Sequence, residues 1–522
     1  MLKKATFHSK SDYCEYQEAD VGFPYIESFC QAIEIYTGSI EYFNPKAFEY
    51  RGAYLRYAIE RYLYFFFLHN ARLNESFREW ISGEDPAINR TLSGVERNLA
   101  LCLCGAKLKR EDLSRGFSQR MNFNSGAFYL RSLMWKFTYA SYAQFFRKSY
   151  LKSEIGADIL IYVPAEKFFG YLSKITKALP FSFSYLVDIS NSDMVCFLIK
   201  QKLPYIDSSK IRLNIERKYL NTLPKELSEF RSLFYWYDTL HGVLSSIRPR
   251  CVVVAEGNAP GDELINQACK QLAIPVICLQ HGWSFIVHNG FRNMTYTKML
   301  TWGKGFSDLL QVYNPKQNFV VVGNHSIDQE VTVLNKGSFF DSNAVVFFLQ
   351  VPSMLITQEC WNEFFGLIVW TAAEFANVPV LVREFPVRPL TKRLRRELEC
   401  YSNVRLVSRR IYPLSEVLQQ SQIAISICSS TILESIASGV LPIVFNMTTM
   451  PRFFPDVEAV GAGLEVKTPQ EARDAISRCL NDNNYRKQFV PGIKSFQEKY
   501  FYKNDGNAYQ RITQEIVSTV KD

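Results

Sequence analysis

The sequence predicts an α/β protein with two parallel-sheet domains behind a helical region. Three observations carry the prediction. Strand-length apolar runs alternate with amphipathic stretches from about residue 155. The alternation restarts near residue 340, after a polar segment. The first 150 residues show helical periodicity, many aromatics and few β-branched runs. Strands alternating with helices imply a mostly parallel sheet covered on both faces. A chain of 522 residues is also long for a single core.

In chain order, residues 48–73 and 126–150 predict packed amphipathic helices, with no chemical motif among them. Acceptor recognition, membrane contact and oligomerisation all remain open as roles for residues 1–150. Strands are expected at 159–163, 185–187, 195–199, 252–255, 276–279, 299–302 and 319–322, with helices at 166–179 and 262–272. The stretch 335–343, containing Gly337, is the expected linker. The second unit then predicts strands at 344–349, 380–382, 404–407, 423–427 and 442–445. Its helices fall at 359–376, 390–400, 414–420, 432–438 and 470–481. Residues 485–500 and 507–520 predict closing helices. The expected division is 1–150 helical, 151–335 and 336–484 each α/β, and 485–522 helical, the last crossing back to the first α/β unit.

Composition narrows the class. Hydrophobic residues at 47% and charged residues at 21% mark a folded globular chain. The net charge of +9 suits a protein handling anionic substrates or resting on an anionic membrane face. No zinc-finger, RNA-recognition or basic-zipper pattern is present, so nucleic acid is not an expected partner. The 12 cysteines are scattered, and none forms a metal-spaced set with the six histidines. Buried free thiols in a reducing compartment are the expectation. The N-terminus lacks the apolar stretch of a signal peptide, and no uncharged run reaches the ~20 residues of a spanning helix. A cytoplasmic location, with at most peripheral membrane contact, is therefore expected.

Chemistry is expected beyond the carboxyl ends of the strands. The strongest such segment is Ile427-Cys-Ser429-Ser430-Thr431-Ile-Leu-Glu434-Ser-Ile-Ala-Ser-Gly439. Hydroxyls and free N–H groups where a strand enters a helix suit a phosphate, leaving Glu434 for ribose hydroxyls. A capping box, with Thr431 as cap and Glu434 at N3, would explain the same residues without a ligand. Gln280-His281-Gly282 ends an apolar run. His281 can act as acid, base or phosphate donor there, or as an ordinary hydrogen-bonded histidine. Ala255-Glu256-Gly257, five residues before Asp262, follows another apolar run. Glu256 is the first candidate for the base that deprotonates an acceptor hydroxyl, and Asp262 the second, with a helix-capping role as the plainer reading of Asp262. The basic run from Arg383 to Arg410 fits a solvated helix face, or a patch meeting anionic lipid or a lipid-diphosphate acceptor.

Taken as a set, these segments resemble GT-B glycosyltransferases of bacterial capsule and lipopolysaccharide synthesis. The resemblance covers about residues 250–480. It rests on the Ser-Ser-Thr segment with its Glu-Ser-Ile-Ala-Ser-Gly continuation, and on Pro275-Val-Ile-Cys-Leu-Gln280-His281-Gly282-Trp283. Thr301-Trp-Gly-Lys-Gly305 and Val320-Val-Val-Gly323-Asn324 follow in the matching order. The resemblance implies two Rossmann-like domains facing across a cleft, with a nucleotide-sugar in the second. The acceptor would be a surface polysaccharide or lipid-linked glycan. In family members using CMP-activated sialic acid or Kdo, a His-Pro pair meets the donor phosphate. Here Phe385 stands in place of that histidine, so Arg383 or Arg388 is the expected phosphate partner. The resemblance implies a CMP- or UDP-linked donor, and the departure at Phe385 leaves the choice open. No Asp-x-Asp occurs, so a metal-independent site is expected, with the nucleotide-sugar as co-substrate and no further cofactor. Gly257, Gln280, Gly282, Gly323 and Asn324 are expected to line the cleft. Three other readings stand beside the transferase: a UDP-sugar 2-epimerase, a CDP-polyol phosphotransferase and a non-catalytic scaffold of polysaccharide assembly.

Overall fold

The computed structural model describes residues 23–69, 94–103, 105–113, 157–163, 168–187, 198, 200–207, 223–283, 287–325, 343–352, 356–385, 390–408, 411–448, 455–503 and 505–521. The expected linker at 335–343, apart from Asn343, and the expected helix at 126–150 lie outside these residues. The described N-terminal part holds α1 (Phe23–Phe43), β1 (Glu49–Tyr50), β2 (Ala53–Tyr54), α2 (Arg56–His69), α3 (Gly94–Leu103) and the short α4 (Arg110–Leu113). The helix expected from residue 48 instead begins at Arg56. Arg51 and Gly52 both take positive φ, which closes β1 and β2 into a tight antiparallel hairpin. Asp238 then anchors the hairpin, accepting from Tyr50 Oη at 2.7 Å and from Arg51 Nη1 at 2.8 Å.

The first sheet has seven parallel strands in the order β5-β4-β3-β6-β7-β8-β9. These are β3 (Ile159–Tyr162), β4 (Phe183–Val187), β5 (Tyr205–Asp207), β6 (Cys251–Ala255), β7 (Val276–Leu279), β8 (Lys298–Thr301) and β9 (Phe319–Val321). Helices α5 (Phe169–Ala178), α6 (Arg231–Ile247), α7 (Pro260–Gln271) and α8 (Lys304–Gln311) connect them. Every residue of β3, β6 and β7 is buried, as expected of parallel strands covered on both faces. The strand expected at 195–199 is not formed where it is described, because Leu198 is helical. An apolar run of five residues does not distinguish strand from buried helix by periodicity.

The second sheet has six parallel strands in the order β12-β11-β10-β13-β14-β15. They are β10 (Ala344–Phe348), β11 (Val380–Arg383), β12 (Val404–Val407), β13 (Ser421–Ser426), β14 (Leu441–Phe445) and β15 (Leu464–Val466). Around them lie α9 (Gln358–Glu374), α10 (Lys392–Glu399), α11 (Leu414–Gln419), α12 (Thr431–Ala437), α13 (Pro469–Asn481) and α14 (Asn483–Lys487). Both sheets are therefore Rossmann-like, with strand order reversing between β3 and β6 in one and between β10 and β13 in the other. Crevices at such reversals, outside the carboxyl ends of the strands, are where this architecture binds ligands.

Two last helices join the halves. In α15 (Val490–Phe501), Tyr500 packs on Phe306 with ring centroids 5.1 Å apart and sits directly against Gly303 and Gly305. Gln497 of the same helix donates to the carbonyls of Ile436 and Ala437, at the end of α12. The chain then returns to the first sheet as α16 (Ala508–Lys521), burying Ile512, Ile516 and Val520 in its core. Each such side chain is worth about 1.5–3 kcal/mol on burial, and Arg511 adds a 2.7 Å bond to the Val322 carbonyl. Among the described residues no helix is long and apolar enough to cross a membrane. The nine described cysteines are free, and all but Cys400 are buried.

Candidate active site at the two strand reversals

β6 ends at the first reversal, and the next two residues both enter the left-handed region: Glu256 at φ 78° and Gly257 at φ 73°. Gly257 is needed there, since a Cβ would fall 2.3 Å from Cys278 Sγ. Glu256 has no such freedom, and an L-residue in that region costs roughly 1–2 kcal/mol. Its N–H stays in the sheet, donating to the Leu279 carbonyl at 2.9 Å. Its carboxylate lies over the end of β7, with Oε1 4.0 Å from the position a Cβ would take on Gly282. Glu256 and the Gln280-His281-Gly282 segment are thus brought together. Backbone strain of this kind occurs at turns and is concentrated at functional sites, which makes Glu256 a candidate.

The members of that segment divide by role. His281 is half-buried, its ring edge-on to Phe168 with centroids 4.4 Å apart. Gln280 is buried and serves as a brace: its Oε1 accepts from the Trp302 backbone and its carbonyl accepts from Trp302 Nε1, both at 2.9 Å. These bonds tie the ends of β7 and β8 together, while its Nε2 donates to the Gly282 carbonyl at 3.4 Å. Trp283 packs against both the first-sheet core and the second, so the end of β7 lies where the two halves meet.

Asp262, Gly323 and Asn324 fall elsewhere. Asp262 is fully buried in the first turn of α7, and its Oδ2 accepts from the Ala259 N–H at 2.9 Å. That is a helix-start role, and it removes Asp262 as a base for an acceptor hydroxyl. Burial, reinforced by Glu256 and Glu263, pushes its carboxyl up to about 7 against the opposing pull of the Ala259 N–H and Arg61. Gly323, two strands beyond β7, lies against Arg511 and Ala508 of α16 and so serves helix packing. Asn324 follows it and is buried.

A buried network lies beneath the Glu256–Gly257 turn. Arg61, on α2, is fully buried and pairs with the equally buried Glu263 at 3.1 Å. Its Nη1 donates to the Gly257 carbonyl at 3.0 Å and to Tyr296 Oη at 3.1 Å, and Tyr296 Oη donates to the same carbonyl at 2.9 Å. Gln267 completes the set, donating to Glu263 at 2.7 Å. Sequence reasoning missed Arg61 and Tyr296. The available signal was one arginine heading the aromatic run Tyr62-Leu-Tyr-Phe-Phe-Phe, a charge that needs a partner if the segment is buried.

At the second reversal, β13 delivers Ile427, Cys428, Ser429 and Ser430 to α12. Gln350, just past β10, braces this loop by accepting from the Cys428 N–H at 2.8 Å and from Ser426 Oγ at 3.2 Å. It too was missed, although a polar residue directly after an apolar strand was visible. The capping box does not form as drawn from sequence. Ser430 holds the cap position without a side-chain cap bond, Thr431 is the first helical residue, and its N–H goes to Ser429 Oγ at 3.2 Å. Thr431 Oγ1 is buried with no hydrogen-bond partner, and Glu434 is half-buried one turn on. α12 has only seven residues, so the hydroxyls and loop N–H groups, more than any helix dipole, give this end its polarity.

Arg383 ends β11, beside β10, and its Nη1 donates to the Tyr412 carbonyl at 3.0 Å. Arg388 lies outside the described residues. Glu384 turns back to bond Arg395 at 2.8 Å and the Leu390 N–H at 3.0 Å, which anchors the basic helix α10 at this edge.

No protein-family model matches the chain, and no curated protein sequence matches it. Solved structures do. A UDP-GlcNAc 2-epimerase from Neisseria meningitidis bound to UDP-GlcNAc is similar over 69% of this chain and 99% of its own, at 15% identity and a TM-score of 0.47. A UDP-GlcNAc 2-epimerase from Methanocaldococcus jannaschii, in complex with UDP-GlcNAc and UDP, gives 69%, 99%, 14% and 0.42. MurG from Acinetobacter baumannii gives 69%, 99%, 12% and 0.43.

Proposed function

We propose that this chain is a GT-B-type glycosyltransferase that takes a sugar from a CMP- or UDP-linked donor and passes it to a glycan or lipid-linked glycan acceptor. The observation that carries the reading is the strained Glu256 at one strand reversal, paired with a hydroxyl-rich loop at the other. In an inverting displacement, the Glu256 carboxylate takes the proton of an acceptor hydroxyl. The hydroxyl oxygen forms a bond to the anomeric carbon, and the bond from that carbon to the donor phosphate oxygen breaks. The nucleotide leaves with that electron pair. Ser429, Ser430 and Thr431 would face the phosphates, Glu434 the ribose, and His281 the reacting centre beside Glu256. Arg383 and Arg388 would offset the charge of the leaving group. Closure of the halves would exclude water, so that transfer outruns hydrolysis.

One observation also favours a second reading. A carboxylate and an imidazole at neighbouring strand ends suit proton removal and return on a bound sugar, as a UDP-sugar 2-epimerase requires. The two readings differ in their need for an acceptor.

The test is a thermal-shift screen against CMP-, UDP-, GDP- and CDP-linked sugars, followed by product analysis without acceptor. Stabilisation by one nucleotide class, weakened by Ser430→Ala with Glu434→Ala at unchanged folding, is the expected result. Stabilisation by none overturns the proposal. Interconversion of a UDP-sugar without acceptor replaces it with the epimerase.

A further inference from the structure

We infer that Arg61 and Tyr296 are positioning residues for Glu256, so that the helical N-terminal region forms part of the reaction machinery. The inference rests on Glu256 being the base proposed above. Three constraints converge on the turn. The Glu256 N–H is fixed in the sheet by Leu279, the Gly257 Cα is pressed against Cys278, and the Gly257 carbonyl is held from below by two donors. With the peptide before Glu256 and the peptide after Gly257 both held, the two-residue turn is pinned at each end, and the Glu256 side chain is directed over Gly282. One of the two donors comes from α2, 196 residues earlier in the chain.

The geometry is specific to arginine. One guanidinium nitrogen serves both Gly257 and Tyr296 while another meets Glu263. A lysine retains the charge for Glu263 but lacks the planar fork. Burying a full charge with its counter-ion contributes little net stability by itself, since desolvation offsets the attraction. What this pair supplies is a fixed position for the Gly257 carbonyl.

Two measurements test this on the full-length protein. The first needs no substrate. Glu256→Gly relieves the left-handed strain and raises the thermal midpoint of the wild type. In the Tyr296→Phe background, where the clamp is loosened, the same substitution raises it less. Equal shifts in both backgrounds overturn the inference, because independent sites add. The second uses the sugar nucleotide that stabilises the protein in the donor screen. Tyr296→Phe and Arg61→Lys each lower kcat by about tenfold to a hundredfold, the scale of a ~1 Å misplacement, with donor KM within about twofold. Arg61→Lys folds better than Arg61→Met without recovering kcat. A purely structural role predicts instead that Lys restores both. Glu256→Gln is the control. If it keeps full activity, the base assignment falls. If it is inactive while Tyr296→Phe and Arg61→Lys match the wild type, the positioning inference alone falls.

Discussion

The two strand reversals share one topology and are built from opposite materials. Beneath β6 lie Arg61, Asp262 and Glu263, all fully buried, with Tyr296 beside them. Beneath the β13 loop the bracing is neutral: the amide of Gln350 holds Ser426 and Cys428, and Ser429 turns back on Thr431. Charges inside a low-dielectric core fix geometry stiffly but must be paired in full. Neutral amides and hydroxyls can exchange partners when a ligand enters. On the proposed reading, the contrast suits a division of labour in which the first half would hold a reacting group rigidly and the second would admit and release a phosphate-bearing donor.

The contrast breaks most visibly if its charged half is disturbed. Glu263→Gln leaves Arg61 as an uncompensated buried charge, and loss of one partner of such a pair typically costs about 3–5 kcal/mol. Urea unfolding should show the unfolding free energy fall by that amount. A change under about 1 kcal/mol would mean that water reaches the pair and that the first reversal is no stiffer than the second.

A second effect separates the halves by pH. The Asp262 carboxyl, raised to about 7 from an ordinary value of 3.8, is protonated in the folded protein at acidic pH. A raised carboxyl gives stability that is fully present below its unfolded pKa and is lost as pH climbs through the folded one. Stability should therefore fall between about pH 4 and pH 7, by an amount on the order of 4 kcal/mol, and level off above. His288 and His325, pushed down to about 3 by burial, act in the opposite sense below pH 6.5. The informative quantity is thus the difference between Asp262→Asn and wild type at each pH. Asparagine carries no charge to bury and keeps an oxygen for the Ala259 N–H. The variant should gain on the wild type steadily from pH 4 to pH 7 in thermal unfolding. Parallel curves would assign the titration to another group.

The same division explains what was legible in the sequence. Parallel buried strands are continuous apolar runs, so both sheets could be placed, and the residues that follow each run could be named as candidates. Glu256, His281 and Ser429–Thr431 were named as candidates that way. Short edge strands such as β5 and β15 carry too few apolar residues to show. Partners brought in from distant sequence were not legible: Arg61 meets Tyr296 across 235 residues. Asp262 and Gln280 looked like site residues because a polar group at a strand end has the same signature whether it meets a ligand or a backbone. For Asp262 the N–H of Ala259 decided the matter, and for Gln280 the two donors of Trp302.

The smallest expected effect bears on the neutral half. Thr431 Oγ1 is buried without a hydrogen-bond partner. A hydroxyl in that condition is destabilising, whereas a methyl of the same shape is not. Thr431→Val should therefore raise stability by up to about 1 kcal/mol, a small rise in thermal midpoint. If the hydroxyl awaits a donor phosphate, the same variant should bind the nucleotide more weakly, and the stabilisation conferred by saturating nucleotide should shrink. The two signs together are diagnostic, because a residue with a packing role alone would gain stability without losing affinity. A valine variant that binds nucleotide as tightly as the wild type would remove Thr431 from the donor site and leave Ser429 and Ser430 to carry it.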